Sequence, residues 1–108
     1  MKKLLISGQS GFIGSNLVEA LSKKYKIIGI ASKKIPNSKI IQIKKNILKV
    51  NYNDIPKDIS SIIHLAAITD VEFCQRNPLE CFSVNIHGTK NLLDIARNSN
   101  LQFFESTA

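Results

Sequence analysis

Gly8, Gly11 and Gly14 stand three apart, between the apolar run Leu4-Leu5-Ile6 and a second apolar stretch that begins at Phe12. Glycine turns where other residues clash, and it leaves the backbone bare. At a junction of strand and helix, the N–H groups of the helix start are unpaired and the positive end of the helix dipole faces outward. Three bare positions in that setting suit one ligand chemistry, a pair of phosphates gripped by main chain. Gly8 would make the sharp turn, Gly11 would leave space for a pyrophosphate, and Gly14 would let the helix lie close on the strand.

Other chemically capable side chains are sparse. Cys74 and Cys81 are the only cysteines. They are too few for a disulfide framework and lack metal-site spacing, so they read as two reduced thiols and no metal is expected. Charge is lopsided: residues 1–50 hold eleven lysines against one acid, Glu19, while residues 51–108 hold four basic residues and seven acids. The basic half suits an anionic partner such as a phosphorylated small molecule, or is simply a solvated surface. The lysines are not interleaved with aromatics, and no zinc-finger or RNP-type motif occurs, so no nucleic-acid partner is expected.

Elements that could position the glycines follow from periodicity. Lys3–Ser7 reads as a buried strand and Phe12 to about Lys24 as a helix with Ile13, Leu17, Val18 and Leu21 inward. Lys26–Ala31, Lys39–Ile43, Ser61–Leu65 and Leu101–Glu105 read as further strands. Asn46–Ser60 reads as polar and irregular. Asn77-Pro78-Leu79-Glu80 has the form of a capped helix start. That helix would run to about Asn98 and bury Phe82, Ile86, Leu92, Leu93 and Ile95, with Gly88 allowing a close approach. Strands alternating with helices predict an α/β fold, a doubly wound parallel sheet with ligands at the carboxyl ends of its strands. With 108 residues the chain suits one domain, residues 1–108. The basic-apolar start stops at Ser7-Gly8, too short for a signal peptide, and no run approaches the roughly 20 apolar residues of a membrane span. A cytoplasmic protein with no membrane partner is expected.

The spacing in "GQSGFIG" resembles the fingerprint of the extended short-chain dehydrogenases/reductases, the nucleotide-sugar epimerase, dehydratase and reductase group. "IIHLAA" (62–67), "NPLECFSVNIHGTKNLLDIAR" (77–97) and "FFESTA" (103–108) resemble further motifs of that family, in the right order. The resemblance implies a Rossmann-like sheet truncated after the fifth strand. It assigns the pyrophosphate to Gly8, Gly11, Phe12, Ile13 and Gly14. Leu65, Ala66 and Ala67 would line the ribose and nicotinamide half, Asn46-Ile47 would sit by the adenine, and Asn85 would face the cofactor pocket. In this motif His64 is expected to be a hydrogen-bonded structural residue, and His87 a solvated one.

The end of the second strand departs from the NAD pattern. A fold that prefers NAD places Asp or Glu there for the ribose 2′-OH; this chain has Ala31-Ser32-Lys33-Lys34. Ser32 and Lys33 suit a 2′-phosphate, so NADP(H) is favoured over NAD(H). The family's chemistry uses a Ser/Thr with a Tyr-x-x-x-Lys pair. Thr107 matches the hydroxyl position, with Ser106 the neighbouring candidate, but Tyr25 and Tyr52 have no lysine four residues on. The resemblance therefore implies the N-terminal, cofactor-binding part of a longer enzyme, inactive alone, with the sixth strand and substrate domain absent and a homodimer contact through helices of this region. Thr69-Asp70-Val71 followed by Cys74 resembles dTDP-4-dehydrorhamnose reductase-like members; 4-epimerase and dehydratase stay equally open. The alternative is a non-catalytic NADP-binding regulatory module on the same fold.

Overall fold

The computed structural model describes residues 1–8, 12–32, 40–65 and 71–105. Its strands are β1 (Lys3–Ser7), β2 (Lys26–Ala31), β3 (Ile41–Lys44), β4 (Ile59–His64) and β5 (Gln102–Glu105). They form one parallel sheet in the order β3-β2-β1-β4-β5. Apolar runs such as Leu4-Leu5-Ile6 arise because both faces are covered, and successive side chains go to opposite faces. Leu5, Ile28, Ile30 and Ile62 enter one core with Leu92, Ile95 and Ala96. Leu4, Ile6 and Ile27 enter the other with Val18. The doubly wound α/β architecture expected from the sequence is therefore present, with α1 (Phe12–Leu21) on one face and a long helix within residues 78–98 on the other.

That long helix is α3 (Pro78–Ser83), a π-helical turn (Val84–Gly88) and α4 (Thr89–Asn98), with α2 (Val71–Arg76) before it. It buries Cys81, Gly88, Leu92, Ile95 and Ala96. Phe82, Ile86 and Leu93, expected inside, are exposed, as is Leu79 at 85%. Only one narrow stripe meets the sheet, and the wider π turn shifts the phase of the apolar residues around it. At the far end, Asn100 takes φ 56 while the Leu101 and Asn100 N–H groups bond the carbonyls of Ala96 and Arg97. This left-handed closure lets the chain turn directly into β5.

Several boundaries shift for tertiary reasons. The first helix ends at Leu21, not Lys24, because the Lys26 N–H must reach the Lys2 carbonyl to begin β2 beside β1. β3 spans Ile41–Lys44 and so runs one residue past the expected end at Ile43, the expected start at Lys39 lying outside the described residues; β4 starts at Ile59 and stops at His64, and β5 begins at Gln102. The stretch 46–60 is more ordered than its polarity suggests. Ile47, Val50, Ile55 and Ile59 are buried, and Asn51 and Asp54 cap a 3₁₀ turn (Tyr52–Asp54) reciprocally. Asn77 does not cap α3: its side-chain amide donates instead to the Phe73 carbonyl at 3.2 Å, closing the helix that precedes it. Near the start of β1, Lys3 Nζ donates to Asp58, and this bond holds the exposed Asp58 carboxyl below the usual carboxylate range.

Cys74 and Cys81, read from the sequence as free thiols, are joined in a disulfide. The break at Asn77-Pro78 folds α2 back toward α3 and brings the two Cα atoms to 5.3 Å, within the reach of an S–S bridge. Alkylation of the unfolded, unreduced chain is accordingly expected to label no cysteine, and to label both after treatment with a dithiol. Cys74→Ser is expected to lower stability by about 2 kcal/mol in urea unfolding under oxidising conditions, from the lost constraint on a short loop.

Candidate dinucleotide site

Parallel strands end on the same edge, and the register sets the candidate residues there. Ser7 pairs with Ile30 on β2 and with His64 on β4, and Ala31 pairs with Lys44 on β3. Gly8, Ser32, Leu65 and Asn46 follow those strand ends by one or two residues. The order of strands reverses between β1 and β4, the place where an open sheet of this kind leaves a crevice for ligands. Gly8 follows the end of β1 at that reversal with φ 80, a left-handed conformation that glycine adopts freely. Helix α1 begins four residues further on in the sequence, with Phe12 and Ile13 as its first residues and Gly14 buried in its opening turn.

The neighbouring strand ends are clamped together. The Leu65 N–H donates to the Ser7 carbonyl at 3.0 Å and to Ser7 Oγ at 3.1 Å. His64 is buried, with Nδ1 2.5 Å from Ser7 Oγ and Nε2 2.8 Å from Thr89 Oγ1, and it has the structural character expected of it. His87 is exposed. Ser32 is exposed, while Asn46 accepts the Leu48 N–H on Oδ1 at 2.9 Å. Ile47, beside it, turns into the core beneath Gly88. Asn91 fixes this loop by donating to the Ile47 and Leu48 carbonyls, each at 2.9 Å. Asn85 is half-buried in the π turn, its amide 3.7 Å from Cys81 Sγ. Gly11, Lys33, Ala66, Ala67, Ser106 and Thr107 lie outside the described residues.

The topology thus gathers Gly8, Ser32, Asn46 and Leu65 on one edge, while the Ile47 side chain belongs to the core. Such an edge can hold an extended anionic ligand through main chain and small polar groups. Among the described residues, no cluster of His, Cys, Asp or Glu could hold a metal ion. The reading from sequence assigned no role to Ser7, Thr89 or Asn91. A serine ending an apolar strand and an asparagine within an amphipathic helix were the available signals, since both are out of place unless bonded.

Residues 4–108 match the model of the NAD dependent epimerase/dehydratase family. The chain belongs to that family. Among the relatives of this family member is a protein of Bacillus subtilis described as an uncharacterized UDP-glucose epimerase, 30% identical over 94% of the chain and 38% of the relative. The L-threonine dehydrogenase of Clostridium difficile superposes with a TM-score of 0.84 at 30% identity, over 97% of this chain and 36% of that one. A UDP-glucuronic acid 4-epimerase of Bacillus cereus, solved with a UDP-sugar and NAD, superposes with a TM-score of 0.79 at 30% identity, over 95% and 39%. The chain therefore spans less than two-fifths of the length of these relatives. No helix among the described residues is long and apolar enough to cross a membrane.

Proposed function

We propose that this chain is the cofactor-binding portion of an NAD(P)-dependent enzyme acting on a nucleotide-linked sugar as an epimerase, dehydratase or reductase. One observation carries the reading: a glycine with φ 80 follows β1 at the reversal of strand order, four residues before a helix begins. When bound, the dinucleotide supplies the hydride donor or acceptor. The chain's own residues bind and orient it. Main-chain N–H groups around Gly8, Gly11, Phe12, Ile13 and Gly14 hold the pyrophosphate. Leu65, Ala66 and Ala67 lie along the nicotinamide half, Asn46 edges the adenine pocket with only the main chain of Ile47 beside it, and Asn85 faces the cofactor. Thr107, with Ser106 beside it, provides the hydroxyl of a Ser/Thr-Tyr-Lys site whose Tyr and Lys lie beyond this chain. We place the protein in the cytoplasm, where the Cys74–Cys81 bridge would form only on oxidation, and as a homodimer joined through the exposed residues Leu79, Phe82, Ile86 and Leu93.

The favoured cofactor is NADP(H). Ser32 is exposed just past β2, and the residues that follow are Lys33 and Lys34 where a carboxylate would repel a 2′-phosphate. Calorimetric titration tests both levels of the proposal. NADPH is expected to bind about tenfold more tightly than NADH, the gain of one charge-assisted contact, and Lys33→Glu is expected to reverse the order. Tighter binding of NADH by the unmodified chain overturns the 2′-phosphate assignment. Binding of neither dinucleotide overturns the cofactor reading itself.

A further inference from the structure

Ser7 and His64 close β1 and β4 side by side, and both are buried. His64 reaches across to the long helix through Nε2, 2.8 Å from Thr89 Oγ1. The Thr89 hydroxyl is also 2.9 Å from the Asn85 carbonyl oxygen, one helical turn earlier. A carbonyl oxygen only accepts, so the Thr89 proton belongs to Asn85. The Thr89 oxygen then accepts from His64, which puts a proton on Nε2. On the other side, Ser7 Oγ accepts the Leu65 N–H at 3.1 Å and lies 2.5 Å from Nδ1. With Nε2 protonated in a neutral ring, Nδ1 is an acceptor and the Ser7 hydroxyl donates to it.

We propose that His64 is a positioning residue, held as the neutral Nε2–H imidazole in a one-directional row of hydrogen bonds. The row runs from the Leu65 N–H through the Ser7 hydroxyl, the His64 ring and the Thr89 hydroxyl to the Asn85 carbonyl. One end fixes the strand ends from which Gly8 departs, and the other fixes the π turn that carries Asn85. The imidazole thereby sets the distance between the two sides of the proposed dinucleotide site, and this consequence rests on the cofactor reading given above. The Asn85 carbonyl fixes the sense of the Thr89 step and puts a proton on Nε2, and with the ring neutral the Ser7 step follows. The role is one of position: among the described residues the ring is bonded by Ser7 and Thr89, and Phe103 lies alongside at 6.1 Å between centroids.

The test uses the 108-residue chain itself. A long-range ¹H–¹⁵N spectrum of ¹⁵N-histidine-labelled protein separates the tautomers, and the second histidine, His87, is assigned by its loss in His87→Asn. His64 is expected to show a protonated Nε2 and an unprotonated Nδ1; the reverse, or two protonated nitrogens at neutral pH, overturns the assignment. Thr89→Val keeps the shape but removes the hydroxyl, and Thr89→Ser restores it. The amide resonances of Gly8 and Leu65, on the far side of the ring from Thr89, are expected to move in Thr89→Val and to return in Thr89→Ser. NADPH affinity is expected to fall about threefold to tenfold in Thr89→Val and to recover in Thr89→Ser. Unmoved Gly8 and Leu65 amides in a folded Thr89→Val overturn the positioning role, as does a Thr89→Ser that behaves like the valine variant. If Thr89→Val does not fold, the tautomer spectrum of the unmodified chain and the Thr89→Ser amides decide. Failure of the unmodified chain to bind any dinucleotide sinks the cofactor reading and leaves the ring and amide readouts to decide the relay.

Discussion

Gly88→Val is expected to destabilise the chain by about 3 kcal/mol, at the upper end of what overpacking a core costs. Gly88 has ordinary helical backbone angles, φ −63 and ψ −45, so nothing about its conformation requires glycine. Space does. A side-chain carbon placed there would stand 2.8 Å from Ile47 Cγ1 and would press harder still on Cδ1. Ile47 cannot easily withdraw, because Asn91 holds the carbonyls of Ile47 and Leu48. Gly88→Ala should be milder, since the helix gains roughly 1 kcal/mol from replacing glycine and the end of an isoleucine can yield. The contact is tested by a double-mutant cycle in urea. Ile47→Ala alone leaves a cavity costing about 2–5 kcal/mol, but in the valine background it also makes room. The pair should therefore lose about 1–2 kcal/mol less than the sum of the single changes. Simple additivity would mean that Gly88 and Ile47 do not meet in solution.

The contrast between what could and could not be read beforehand follows the same physics. β1 and β2 were legible to the residue, because an apolar run flanked by lysines leaves a buried strand few alternatives. The left-handed backbone of Gly8 was legible because that constraint is local. Errors occurred where a distant partner decides. The end of α1 depends on Lys26 meeting Lys2. Asn77 looked like a cap because the helix before it was not foreseen, and that helix claims its amide. The bridge between Cys74 and Cys81 depends on the same unforeseen corner. Phe82, Ile86 and Leu93 were placed inside on hydrophobicity alone, which does not say which face the sheet will cover. At the candidate site, resemblance located the strand-end residues but missed Ser7 and Thr89. Their common partner His64 is 57 residues from one and 25 from the other, a separation that no local pattern encodes.

Gly8→Val is expected to weaken NADPH binding at least about tenfold while lowering stability by only about 2 kcal/mol, the cost of forcing a branched side chain into a left-handed conformation. Here, unlike at Gly88, the backbone angle is the constraint: φ is 80. A valine at this point either pays that strain or swings the following chain away from the line that β1 and the Leu65–Ser7 bonds define. The second outcome moves the start of α1 relative to the crevice between β1 and β4. Ligand grip through main-chain N–H groups depends on their direction, so a small rotation removes several contacts together. Gly8→Asn separates the two effects. Asparagine tolerates left-handed angles, as Asn100 does at the end of α4. It should keep most of the stability, and it should bind more weakly than glycine but better than valine. The measurements are denaturant unfolding and calorimetric titration on the three chains. If valine lowers stability as expected yet leaves NADPH affinity unchanged, the phosphates do not sit at this turn. If asparagine and valine are equally disabled, the side chain itself, and not the angle, is what the site excludes.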